Sequence, residues 1–99
     1  MANELKGLRV AFLTSNEGVE QVELTAPWEA VQNAGGTPEL IAPKDGTVQA
    51  FNHLDKGDTF TVHRALQDTD PTEYDAVVVP GGVANGDFLR AAASEVNPA

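Results

Sequence analysis

The sequence predicts an α/β fold around a mainly parallel sheet, and three observations carry that prediction. Residues 8–14, 37–42 and 75–80 are short apolar runs of strand formers with no polar alternation, as expected of strands covered on both faces. Residues 20–33 separate the first two runs and place Leu24, Trp28 and Val31 on one helical face, with Val22, Ala26 and Ala30 alongside. Strand, helix and strand joined by short connections imply a right-handed parallel crossover.

Each element has a local reason. Leu8-Arg-Val-Ala-Phe-Leu-Thr14 opens the chain as a buried strand, and Ser15-Asn16-Glu17-Gly18 reads as a loop. Pro27 is awkward within the helix because it lacks a backbone donor and crowds the preceding turn. Ala34-Gly35-Gly36 supplies a stop, since glycine takes the left-handed cap conformation without strain. The second strand, residues 37–42, ends at the turn Pro43-Lys-Asp-Gly46. Residues 48–51 and 59–62 read as two short strands around residues 54–58, a hairpin-like excursion at a sheet edge. Residues 68–74 are polar and turn-forming. The β-branched run Asp75-Ala-Val-Val-Val-Pro80 closes on Gly81-Gly82, and residues 87–96 have helical character.

Three central strands and two helices cannot cover both faces of such a sheet, so the expected fold is incomplete within these 99 residues. More polypeptide, or a partner, must supply the remaining layers. Were the chain complete, poor solubility or obligatory association would be expected.

Composition narrows the function. Six basic against 15 acidic residues give a net charge of −9, which disfavours phosphate backbones and anionic membranes as partners. Without cysteine there is no disulfide, zinc-thiolate site or thiol nucleophile among these residues. The first seven residues lack a secretory pattern, and the apolar runs are too short to cross a bilayer. A soluble cytoplasmic protein with no nucleic-acid or membrane partner is expected.

Open α/β sheets bind ligands beyond the carboxyl ends of their strands, which singles out residues 15–21 and 80–87. Glu20 opens the helix. On spacing alone the favoured explanation is the macrodipole, which rewards acids at helix N-termini by about 0.3–1 kcal/mol. Glu17 and Glu23 share that explanation. The functional alternative is a carboxylate held beside a nucleophile. Gly81-Gly82 is a simple strand-to-helix turn or, functionally, a source of amides for an oxyanion hole. Gly81-Gly-Val-Ala-Asn-Gly86 matches neither the dinucleotide fingerprint nor a P-loop. His53 and His63 lack metal-ligand spacing, so no metal is expected. Thr14, Ser15 and Thr25 belong to no serine-triad pattern, and Trp28 reads as packing. A receiver domain would need a carboxylate pair where Thr14-Ser15 stand and an aspartate where Pro80-Gly81 stand.

Taken together, Arg9-Val-Ala-Phe-Leu-Thr14, Glu20-Gln-Val-Glu-Leu24, Pro27, Ala34-Gly35-Gly36, Asp70-Pro71, Tyr74-Asp-Ala-Val-Val-Val-Pro-Gly-Gly82 and Asp87-Phe-Leu-Arg90 resemble the N-terminal half of the ThiJ/PfpI family. This family comprises PfpI-like intracellular proteases, stress proteins, deglycases and glyoxalases within the class I glutamine amidotransferase-like group. The resemblance spans residues 7–90 and implies a flavodoxin-like three-layer sandwich of about 150 residues or more. Residues 1–99 would then be the N-terminal portion of a single domain. It further implies a cysteine nucleophile beyond residue 99, on a strand-to-helix elbow.

By the same resemblance, Glu20 hydrogen-bonds that cysteine and favours its thiolate. Gly82 supplies an oxyanion-hole amide, and Asp87 is an acid that approaches the active-site histidine from a neighbouring subunit. Asn85-Gly86-Asp87 departs from the usual Asn-Pro-Asp. No cofactor is implied. The implied partners are further copies of the chain, in a dimer or larger ring, and a small carbonyl or peptide substrate. Peptide hydrolysis, removal of aldehyde adducts and glyoxal hydration are the candidate reactions. The rival is a non-catalytic stress-response, chaperone or redox-sensing module using the same thiol.

Overall fold

A computed structural model describes residues 4–81. Strand β1 (Arg9–Leu13) lies centrally, flanked by β3 (Thr37–Ala42) and β7 (Ala76–Val78), with β6 (Arg64–Ala65) beyond β3. Every pairing in this four-stranded sheet, ordered β6-β3-β1-β7, is parallel. Arg9 stands opposite Thr37 and Leu13 opposite Ile41, so β1 and β3 are in register along their length. The helix α1 (Gln21–Asn33) connects them and packs against both. The parallel sheet and its crossover helix are thus those expected from the sequence.

The core forms where the apolar positions of β1 and β3 meet α1. Phe12, Leu24 and Leu40 are almost wholly buried there, with Val10, Val31 and Ala42 around them. Trp28 covers this cluster while half-buried, its ring 5.0 Å from that of Phe12 and tilted by 49°. The helix ends as its sequence requires. Gly35, at φ +88°, donates to the Gln32 carbonyl at 3.0 Å, and Gly36 donates to that of Val31 at 2.9 Å. These paired bonds are the Schellman closure, in which the left-handed residue is best glycine. Pro27 sits inside the helix, where its ring nitrogen denies the Glu23 carbonyl a partner.

Four expectations need correction. Glu17 and Gly18, expected in the loop 15–18, and Glu20, expected to open the helix, belong instead to strand β2 (Glu17–Glu20), so the helix begins one residue later and Glu20 becomes its cap residue. The segment becomes a strand because β4 (Thr47–Asn52) offers it a parallel partner, with a bulge accommodated by Gly18 at φ +113°. The hairpin of β4 with β5 (Asp55–Thr61) is no excursion from the edge of the main sheet. It forms a separate three-stranded sheet, β2-β4-β5, and residues 55–58 lie within its second strand.

The 75–80 run contracts to β7, which pairs with β1 and leaves Val77 58% and Val79 57% exposed. Finally, Val22, Ala26 and Ala30 are exposed, because α1 buries only the side carrying Leu24 and Val31. The polar 68–74 stretch turns through short 3-10 segments at Leu66–Asp68 and Pro71–Glu73. Asp70 caps the second, and its bonds from the Thr72 hydroxyl and amide hold its carboxyl below the ordinary range.

At the amino ends of the strands a polar cluster ties the sheet together. Arg9 donates from Nε (3.1 Å) and Nη2 (2.8 Å) to one oxygen of Glu39, and the Tyr74 hydroxyl donates to the other at 2.8 Å. The guanidinium lies 4.7 Å from the Tyr74 ring centre. Burial alone would raise the Glu39 carboxyl, but the bonds from Tyr74 and Arg9 and the Arg9 charge outweigh it and hold it below 4.5. A carboxyl depressed by folding contributes stability above its unfolded pKa, and that contribution disappears as pH falls through the folded value. Glu39→Gln is therefore expected to lower the urea midpoint at pH 7 and to reduce its further fall below pH 4.5.

Candidate functional site

The two loops singled out by the sequence meet at the carboxyl end of the parallel sheet. Having left β1, the chain passes through Thr14 and Ser15, both buried. The Thr14 amide donates to the Ile41 carbonyl at 3.0 Å, while its hydroxyl has no partner among the described residues. The Ser15 hydroxyl donates to the Glu17 carbonyl. Asn16 fixes the loop to the β3–β4 turn: its Nδ2 donates to the carbonyls of Lys44 (2.9 Å) and Thr47 (3.1 Å), and its Oδ1 accepts from the Lys44 amide at 2.9 Å. The Asn16 carbonyl then accepts from Gln49, which aligns β2 with β4.

Strand β2 delivers Glu20 to the mouth of α1 in an extended conformation, φ −71° and ψ 124°. Its amide donates to the Gly81 carbonyl at 2.9 Å, joining the glutamate backbone to the turn after β7. Its side chain makes no helix-capping bond. Both carboxylate oxygens instead accept from the His53 amide, at 3.0 and 3.2 Å. The macrodipole explanation of Glu20 is therefore incomplete, since the carboxylate is engaged with the hairpin turn. One helical turn on, Glu23 reaches over Gly81. A methyl group added there would come within 2.6 Å of Glu23 Oε1.

Of the residues the sequence nominated, Glu20 is thus placed beside the start of the diglycine turn. Gly82 and Asp87 lie outside the described residues, as does the 87–96 helix. His63 is taken up by structure: its Nδ1 accepts from the Leu40 amide at 2.8 Å, and its ring stacks on Trp28 at 5.8 Å. Among the described residues no group of three or more histidine or acidic side chains could hold a metal, and no helix is long and apolar enough to cross a membrane. Sequence reasoning met Gln21 only as the end of the first loop and His53 only as a metal-ligand candidate, and it missed Asp58, because their involvement depends on a hairpin that returns more than thirty residues later.

Comparison with known proteins agrees with this fold. A family profile described as DJ-1/PfpI matches residues 8–97. An uncharacterized protein of Staphylococcus epidermidis is 37% identical over 82 residues, covering 83% of this chain and 45% of that protein. An uncharacterized protein of Staphylococcus aureus is 33% identical over the same shares. The chain therefore spans about half the length of the curated relatives it matches. Among solved structures, a ThiJ/PfpI domain protein from Brachyspira murdochii superposes with a TM-score of 0.70 at 22% identity, covering 79% of this chain and 43% of that one. Oxidized DJ-1 of Toxoplasma gondii gives 0.68 at 17% identity, covering 91% and 48%. At those identities the likeness is one of fold, and the fold is flavodoxin-like α/β.

Proposed function

The chain belongs to the DJ-1/PfpI family, and from that premise we propose that it forms the N-terminal portion of one cysteine-hydrolase domain whose nucleophile comes from sequence beyond residue 99. The observation that carries this reading is the 2.9 Å bond from the Glu20 amide to the Gly81 carbonyl. It joins the backbone of Glu20 to the turn after β7, which supports a reading in which both face the carboxyl end of the parallel strands, where this architecture binds ligands. A carboxyl that keeps its proton and donates it in a hydrogen bond to a neighbouring sulfur stabilises the thiolate and makes it nucleophilic at neutral pH.

The sulfur then adds to a carbonyl carbon, and the displaced electron pair settles on the carbonyl oxygen. Gly82 supplies an amide to that oxyanion. Substrates on this reading are small carbonyl compounds, aldehyde adducts or peptides, handled inside the cell. The working unit is a homo-oligomer in which Asp87 of one copy approaches the histidine of the next.

A second reading has one observation in its favour, the likeness to an oxidized DJ-1. In it the same thiol is a redox sensor whose reversible oxidation is the useful event. Purified full protein offered glyoxal-type dicarbonyls, aldehyde adducts and peptides and, separately, peroxide distinguishes the two. Sustained dicarbonyl turnover supports the hydrolase. Reversible sulfur oxidation without turnover of dicarbonyl, adduct or peptide rejects it in favour of the sensor.

A further inference from the structure

The mouth of α1 is fastened to the β4–β5 hairpin through two consecutive residues. The Gln21 carboxamide makes a two-point clasp on Asp58: its Oε1 accepts from the Asp58 amide at 2.7 Å, and its Nε2 donates to Asp58 Oδ2 at 2.9 Å. One residue earlier, the Glu20 carboxylate accepts the His53 amide. His53 occupies the hairpin turn at φ +61°, the one left-handed non-glycine among the described residues. That conformation is uncommon outside glycine, histidine is among the residues that take it more readily, and the tight β4–β5 turn calls for it.

The hairpin is braced internally as well. Gln49 Nε2, from β4, donates to its own strand at the Ala50 carbonyl (2.8 Å) and across to that of Gly57 (3.0 Å). Gly57 is the contact point of the clasp. A Cβ there would lie 2.1 Å from Gln21 Oε1, so only glycine lets the carboxamide reach Asp58.

These bonds matter because a glutamate side chain is otherwise free about three torsions. Glu20 is held at its amide by Gly81 and at its carboxylate by His53. A protonated carboxyl carries one O–H donor besides its acceptor sites, so accepting the His53 amide leaves that donor for a further partner. We propose that the β4–β5 hairpin is a positioning element for Glu20, with Gln21 and Gly57 as its latch and the His53 amide as its anchor. The inference rests on the reading of Glu20 given above and adds Gln21, Gly57 and His53 as positioning residues. None of them touches substrate; they act by fixing where the carboxyl points.

The test uses the full protein and two readouts, the pH midpoint of cysteine alkylation by iodoacetamide and amide hydrogen exchange at His53. Gln21→Ala and Gly57→Ala are expected to raise the alkylation midpoint in the same direction as Glu20→Gln, and by less. Both should speed exchange at His53 by about tenfold, the loss expected when an anchoring hydrogen bond becomes local opening. The double variant should be little worse than Gln21→Ala alone, because the new methyl then meets only the end of the Asn52 side chain, at 3.1 Å. Glu39→Gln, at the opposite end of the sheet, is the control for destabilisation and should leave the alkylation midpoint in place. If the latch variants lower thermal stability while only Glu20→Gln moves the midpoint, the hairpin is merely structural and the proposal is overturned with the Glu20 reading intact. If Glu20→Gln also leaves the midpoint unmoved, the Glu20 reading fails and this proposal falls with it. Should Gln21→Ala not fold, Gly57→Ala, which retains every polar group, decides the matter alone.

Discussion

Phe12→Ala is expected to destabilise the fold by about 3–5 kcal/mol, the range for truncating a buried phenylalanine. Phe12 has no exposed surface and stands mid-strand on β1, between β3 and β7. It contacts the underside of α1 through Trp28. Removing its ring takes away apolar contact and leaves a cavity that strands paired on both sides cannot close. Domains are stable by only about 5–15 kcal/mol, so one substitution would consume a large share. Urea denaturation should show a lower midpoint with an unchanged slope. Phe12→Leu, which refills most of the volume, should recover more than half of the loss. A truncation costing less than about 1 kcal/mol would mean that the β1–α1 interface is not the core it is described to be.

Glu20→Gln is expected to reduce turnover by roughly 10²–10⁴-fold, the usual weight of a positioned acid–base group. Stability should hardly change. Glutamine is isosteric, and its carbonyl oxygen can still accept the His53 amide, while the Glu20–Gly81 bond is made by backbone. The loss should fall on kcat rather than KM, because the carboxyl acts on the sulfur and not on bound substrate. Undiminished turnover in Glu20→Gln would remove this residue from the chemistry.

What the sequence reveals and what it hides follow a physical division. The period of Leu24, Trp28 and Val31 identifies α1, and Gly35 marks its end, because both signals act within a turn or two of their own positions. Residues 37–42 are a strand at their sequence-predicted limits for the same reason. Strand β2 escapes notice because Glu17 and Glu20 have poor strand propensity; pairing with β4 overrides it. The hairpin is legible as two strands, yet which sheet receives it depends on Asn16 reaching Lys44 and Thr47. Local pattern carries no trace of that choice.

The site divides in the same way. Glu20 stands out through the resemblance and not through its spacing, which a helix start explains equally well. The clasp from Gln21 to Asp58 and the anchor at His53 join residues 37 and 33 positions apart. The left-handed backbone at His53 marks the turn, but a histidine in a sequence is too weak a sign of that conformation to locate the contact.

On the proposed function, a carboxyl in this chain tunes a sulfur carried elsewhere in the protein. The direct measurement is ultraviolet titration of the thiolate in the full protein, wild type against Glu20→Gln. The wild-type cysteine should ionise well below the ordinary value of about 8.5, and the variant should ionise about one unit higher or more. Coincident titration curves, or a protein in which no cysteine ionises early, would contradict it.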